Sequence, residues 1–347
     1  MKLKFLCSLL LTLCVSAGLC MCGDDSSTPE YTFPDGPGGG DKPEEPDQPK
    51  NPYPAGLTVT EFTDDLGNGK QCLGFVAVVD RNANPKLRFN AVHLPKQKTP
   101  TAIHAAFASE GKGTPYVTIN AGYWWAGNSL SLLITDGVVK SIENQTVERN
   151  GQTVYPVRSS FGQMNDGTFQ TRWIYCVTDL DNRPYAFPSA LDNDERTHTY
   201  MSAPPTSKYP GAEPWTPREA VGGGPMLVKE GKNVAVENYW KEVFDGGGIG
   251  GTSRQPRTAI GATADGKIVL LVCDGRNMRG SAGFTLAELA DKLIALGVVN
   301  AVNLDGGGSS TIVGAEGKVL NKPSDTGTKE TIVQRSISTA VVITETN

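Results

Sequence analysis

Apolar residues in this chain recur in short, closely spaced runs. Gly74–Val79, Leu87–Leu94, Tyr116–Asn120, Leu130–Ile134, Pro225–Lys229, Ala259–Ala264, Lys267–Cys273, Val298–Leu304 and Ser338–Thr344 are each bounded by turn-forming or polar residues, the signature of strands. One segment has helical spacing instead: Phe284–Leu296, with Leu286, Leu289, Leu293 and Leu296 on one face. Thr285 and Glu288 there fit a capping box, and Gly297 fits the residue just past the end. A shorter helix is predicted over Ala102–Ser109. Strands with few helices predict an α+β (mixed α/β) fold, a strand-rich single domain built on a mixed sheet.

Two local geometries follow from the spacing. Asp265-Gly266 between apolar runs predicts a two-residue hairpin turn, with residue 264 pairing 267 and Arg257 opposite Asp274; a bulge would move that register by one. Strand 267–273, helix 284–296 and strand 298–304 predict a βαβ unit over 267–304 with parallel strands. Each of its strands ends in an acid followed by glycine, Asp274-Gly275-Arg276 and Asp305-Gly306-Gly307-Gly308-Ser309-Ser310. Parallel strands end on the same sheet edge, so Asp274, Asp305 and Arg257 are expected to converge there, with Asn120 at the end of another strand.

The amino terminus reads differently. Lys2 and Lys4 precede the apolar run Phe5–Val15, too short to span a bilayer, and a Cys-containing stretch follows. Residues 1–21 therefore read as a lipoprotein signal peptide, with Cys22 the lipidated residue and Cys20 the alternative, which makes the protein an exported cell-envelope lipoprotein. Residues 22–55 are rich in Pro, Gly and acid and poor in aliphatics, a disordered tether, and 56–347 forms the folded domain. Membrane association is expected only through that lipid anchor. Without residues 1–21 the formal charge falls from −5 to −7, which argues against a nucleic-acid partner. Cys72, Cys176 and Cys273 are far apart in the chain and form neither a disulfide framework nor a paired metal motif.

The Asp305–Ser310 motif combines a carboxylate, a chain that approaches ligands without Cβ obstruction, and two hydroxyls, with backbone donors suited to an anion. It is neither a Walker A loop nor a GxGxxG fingerprint. Gly222-Gly223-Gly224-Pro225 reads either as close backbone approach to a ligand or as a strained strand entry, and Gly246–Gly251 as a flexible loop. The aromatic turn Tyr123-Trp124-Trp125 either stacks a sugar or covers the core. GxSxG is absent, and the three histidines complete no nucleophilic triad. Asp274 and Asp305 have the oxygen donors for Ca²⁺ or Mg²⁺, but beside Arg257 and Arg276 they read as a charge network, so no cofactor is expected.

Taken together, Gly222–Val228, Arg257–Gly261, Val272–Arg276, Gly283–Ala290 and Asn303–Thr311 resemble the phosphodiester glycosidase family, most strongly over 220–340. The likeness extends to Asn120-Ala121-Gly122-Tyr123, where Ala121 replaces a usual glycine. It implies hydrolysis of a sugar-1-phosphate diester at the glycosidic bond, releasing the sugar and a phosphomonoester. On that reading Arg257 and Arg276 hold the phosphate, and Asp305 and Asp274 act as nucleophile or general base, the order between them open. Asn120, Gly223, Gly224, Thr258, Gly306, Gly307, Gly308, Ser309 and Ser310 would contact the substrate, a sugar phosphate or phosphoglycan. Two other readings stay open: a non-catalytic glycan-binding lipoprotein, and a metal-dependent phosphodiesterase.

Overall fold

The computed structural model describes residues 51–245, 248–325 and 331–346. The signal segment, Cys22 and nearly all of the tether lie outside them. Two seven-stranded sheets and one four-stranded sheet build the domain, and every ladder between their strands is antiparallel. The fold is mostly β, and the expected mixed sheet is corrected to antiparallel ones.

The central sheet explains the difference. Its middle strands, Ile268–Cys273, Arg257–Thr263 and Val298–Asn303, lie side by side in that order. The helix Leu286–Ala295 does carry the chain from the first to the third, and these two strands run parallel, but Arg257–Thr263 is inserted between them and pairs antiparallel with both. The middle strands read as continuous apolar runs because this sheet is covered on both faces. One face packs Ile260, Leu270, Val272 and Val302 against Phe89, Ile119, Val341 and Phe161 of the other two sheets. The opposite face packs Ala259, Val269, Leu271 and Ala301 against Leu286, Leu289, Ala290 and Leu293 of the helix.

The helix has the capping box expected of it, Thr285 Oγ1 accepting from Glu288 N–H while Glu288 accepts from Thr285 N–H, and Gly297 has φ +82°. The hairpin before it differs by one residue. Thr263 pairs with Lys267 around a three-residue turn in which Gly266 sits at φ +81°, so Arg257 faces Cys273 and not Asp274. Pro100–Ser109 is helical as expected, and Ala235–Lys241 is a further helix too short to leave a periodic signal. Cys72, Cys176 and Cys273 are buried free thiols.

Gly222–Pro225 is the point where the chain passes from the second seven-stranded sheet, strand Glu219–Gly222, into the central one, strand Met226–Lys229. A Cβ on Gly223 would stand 2.3 Å from the Asn303 carbonyl oxygen, so the crossing requires glycine for backbone packing.

Candidate functional site

The edge where strands Val298–Asn303 and Ile268–Cys273 end and Arg257–Thr263 begins opens into a cavity of about 400 Å³. Its floor is the turn after Leu304. Asp305 N–H donates to Ala121 O at 2.9 Å and Gly307 N–H to Pro256 O at 2.9 Å, which fixes the glycines across the sheet edge. Beneath them lies a buried polar group: Asn120 Nδ2 donates to Asp305 O at 2.5 Å, and its Oδ1 accepts from the Thr258 hydroxyl at 2.8 Å and Thr311 N–H at 3.2 Å. Ser310 Oγ stands 3.2 Å from the same Thr258 hydroxyl. Asn120, Thr258 and Ser310 thus hold the turn from below and do not line the cavity.

Asp305 does line it, partly exposed, and is the only carboxylate among the described residues to do so. Burial pushes its carboxyl up to about 6; the Ser309 hydroxyl, the Arg335 charge, the Gly306 backbone and the Trp124 side chain pull the other way. The Ser309 hydroxyl is buried beside this carboxylate and has no other partner.

Five guanidiniums line the same cavity, those of Arg149, Arg158, Arg257, Arg276 and Arg335. Glycine gives two of them access to the turn. A Cβ on Gly307 would meet Arg276 Nη2 at 3.0 Å, and one on Gly308 would meet Arg335 Nη2 at 2.5 Å, so both side chains lie flat on the backbone. Arg276 Nε donates to Gln255 at 3.0 Å, and Arg335 pairs with Asp325 at 2.6 Å. Arg158 donates to the carbonyls of Glu242 and Val243 and stacks 4.4 Å above the Phe244 ring. Arg149 pairs with Glu195 at 2.7 Å and donates to Asp245 O at 2.7 Å.

Arg257 has a different task from the one expected. Its buried guanidinium donates to the carbonyls of Phe284, Ile249, Gly250 and Ser253, at 3.0, 2.8, 2.8 and 2.9 Å. Four of its five N–H groups are therefore spent on the cavity wall. Asp274 is also elsewhere: its carboxylate accepts from Arg279 at 2.6 Å, Lys322 N–H at 2.8 Å and Asn321 Nδ2 at 3.1 Å, outside the cavity. Burial raises its pKa despite those donors. The one-residue register difference separates the expected Arg257–Asp274 pair. Gly223 and Gly224 are packing positions as well; the Gly224 carbonyl accepts from Tyr123 Oη at 2.7 Å and Asn303 Nδ2 at 3.0 Å, orienting two side chains that do line the cavity.

Arg149, Arg158, Arg335 and Asn303 are cavity residues that the motifs did not point to. Arg158 and Arg257 each open a strand, and Arg335 stands two residues before one. Arginine at the mouth of an apolar strand is the signal that identifies them. Glu242, fully buried, supports the wall, accepting from Met226 N–H, Ser159 N–H, the Ser159 hydroxyl and Trp173 Nε1 across the two seven-stranded sheets. Burial lifts its carboxyl to about 7. A cation would find one carboxylate among five guanidiniums here, and no cluster of His, Cys, Asp or Glu suited to a metal occurs among the described residues.

Residues 181–344 match the sequence model of the phosphodiester glycosidase family. This segment belongs to that family. Within it lie Arg257, Arg276, Asn303, Asp305 and Arg335, whereas Tyr123, Trp124, Arg149 and Arg158 reach the cavity from upstream. A prophage-derived uncharacterized protein, YomE, of Bacillus subtilis is 36% identical over 109 residues, which cover 31% of this chain and 15% of that protein. The bovine N-acetylglucosamine-1-phosphodiester alpha-N-acetylglucosaminidase is 46% identical over 69 residues, 20% of this chain and 12% of that one. These matches thus span about one seventh or less of the relatives' own length. In fold, the chain is similar to the catalytic domain of the zebrafish N-acetylglucosamine-1-phosphodiester alpha-N-acetylglucosaminidase, with a TM-score of 0.54 at 19% identity, over 84% of this chain and 83% of the other.

Proposed function

We propose that the protein hydrolyses the glycosidic bond of a sugar-1-phosphate diester, giving a free sugar and a phosphomonoester. The observation that carries this reading is a single carboxylate among the described residues, Asp305, set among five guanidiniums in one cavity. An ordinary glycosidase needs a second carboxyl to protonate a poor leaving group. A phosphomonoester leaves as an anion, its second pKa being about 6, so cationic stabilisation replaces the acid. In this reading Arg276 and Arg335, flat against Gly307 and Gly308, grip the phosphate, and Asp305 acts at the anomeric carbon as nucleophile or as base toward water. Tyr123, Asn144 and Asn303 face the sugar. Arg257 and Asp274 become positioning residues, one for the loop at 249–253 and the other for the chain at 321–322. The reading includes export by residues 1–21 and anchoring through Cys22, with the substrate met in the cell envelope.

Hydrolysis of a panel of sugar-1-phosphate diesters in ¹⁸O-water, with and without EDTA, tests it. The expected result is label in the released sugar and a rate that EDTA leaves alone. Label in the phosphate, with loss of activity in EDTA, would make the protein a metal-dependent phosphodiesterase; saturable binding without turnover would make it a glycan-binding protein.

A further inference from the structure

A second cavity, of about 430 Å³, adjoins the first; Trp124, Trp125, Asp305 and Arg335 line both, and Ala126 lines the second alone. Asp305 and Arg335 therefore stand at a junction with space on both sides. If, as proposed above, the sugar occupies the side of Tyr123, Asn144 and Asn303 and the phosphate lies at the junction, the side of Trp124 and Trp125 is the space left for what the phosphate carries. That cavity offers almost no hydrogen-bonding side chain beyond the junction pair. It offers an aromatic face: Trp125 is 76% exposed, the most exposed of the large hydrophobic side chains described.

The platform is held in place. Trp124 and Trp125 pair with Ser129 and Asn128 in a two-stranded hairpin, and the Ser338 hydroxyl donates to Gly127 O at 3.0 Å, tying its tip to the strand Ile337–Glu345. The turn has φ +47° at Ala126 and +88° at Gly127. Alanine in the left-handed region is a strained choice, of the kind retained where a site requires it. An exposed indole carried on a tied-down hairpin is suited to a flat ligand face.

We propose that Trp125 is a specificity-determining residue for the leaving group, and that the alcohol esterified to the phosphate carries a ring that stacks on its indole. The inference rests on the phosphodiester glycosidase reading and adds to it the class of aglycone. The test uses two diesters of one sugar 1-phosphate, benzyl and methyl, which differ only beyond the phosphate. Unaltered protein is expected to favour the benzyl diester in kcat/KM, and Trp125→Ala to lower the benzyl-to-methyl ratio about tenfold, the scale of one aromatic contact. Trp125→Phe is expected to restore most of that ratio. A ratio that stays within about twofold in Trp125→Ala would overturn the platform while leaving the glycosidase reading in place. Failure of the unaltered protein to turn over either diester would overturn the glycosidase reading, and the platform with it.

Discussion

Replacing Asp305 by Asn is expected to make the protein more stable while removing its activity. The reason lies in the carboxyl's pKa, about 6 against an ordinary 3.8. A carboxyl whose folded pKa is raised binds its proton more tightly in the native state than in the unfolded one, so stability falls as pH rises between about 4 and about 6. The rise of about two pH units corresponds to about 3 kcal/mol. Asp305 is partly open to the cavity, so solvent screening brings the expected gain at pH 7.5 to about 1–2 kcal/mol. The amide of the Asp305→Asn variant carries no charge and avoids that cost. In thermal unfolding followed from pH 4 to pH 8, the Asp305→Asn midpoint should coincide with that of the unaltered protein at pH 4. It should exceed it by about 2–4 °C at pH 7.5. The same samples should show kcat lowered by several orders of magnitude, and the unaltered enzyme's kcat/KM should rise on the acid side with an apparent pKa near 6. An equal or lower midpoint for Asp305→Asn at pH 7.5 would refute the claim that burial strains this carboxylate, and an active variant would remove it from the chemistry.

Two further substitutions separate phosphate binding from support. Arg335→Ala should raise KM for the phosphodiester about 10- to 100-fold, the value of one charge-assisted contact, with Arg335→Lys recovering only part because it lacks the planar fork; an unchanged KM would take the phosphate away from the junction. Arg257→Met would remove a donor from four backbone carbonyls, two of which, those of Phe284 and Gly250, keep other donors, so it should cost about 3 kcal/mol and lower the melting midpoint by about 6 °C. An Arg257→Met protein that melts normally but does not turn over would return Arg257 to the phosphate.

Much of the fold's local structure was legible because single residues set it. Thr285, Glu288 and Gly297 bound one helix, and buried strands announce themselves as apolar runs. Strand adjacency was not, because nothing in the spacing shows that Arg257–Thr263 lies between Ile268–Cys273 and Val298–Asn303 and pairs with both. In the site, the Asp305–Gly308 turn was readable because three glycines beside a carboxylate need a reason, which proved to be the Pro256 carbonyl against Gly306 and the two guanidiniums lying on Gly307 and Gly308. The pairing of Arg257 with Asp274 failed on one residue of hairpin register, since Gly266 closes a three-residue turn. Arg158 and Arg335 escaped notice because they approach the cavity from strands far apart in sequence, and only the docking of the sheets brings them together.

That docking bears on what can be cut away. The segment 181–344 carries the family likeness, yet its strand Ile268–Cys273 is zipped to Gln71–Val79, and the strand Ile337–Glu345, most of it inside the segment, lies between Leu87–Lys98 and Thr114–Asn120. Excised, it would present raw ladder edges and half a core to water, with Tyr123, Arg149 and Arg158 missing from the pocket. The recognisable half of this protein is therefore not a transplantable part: the cavity is a property of the whole set of sheets, and a shortened version that keeps it must begin before Leu57.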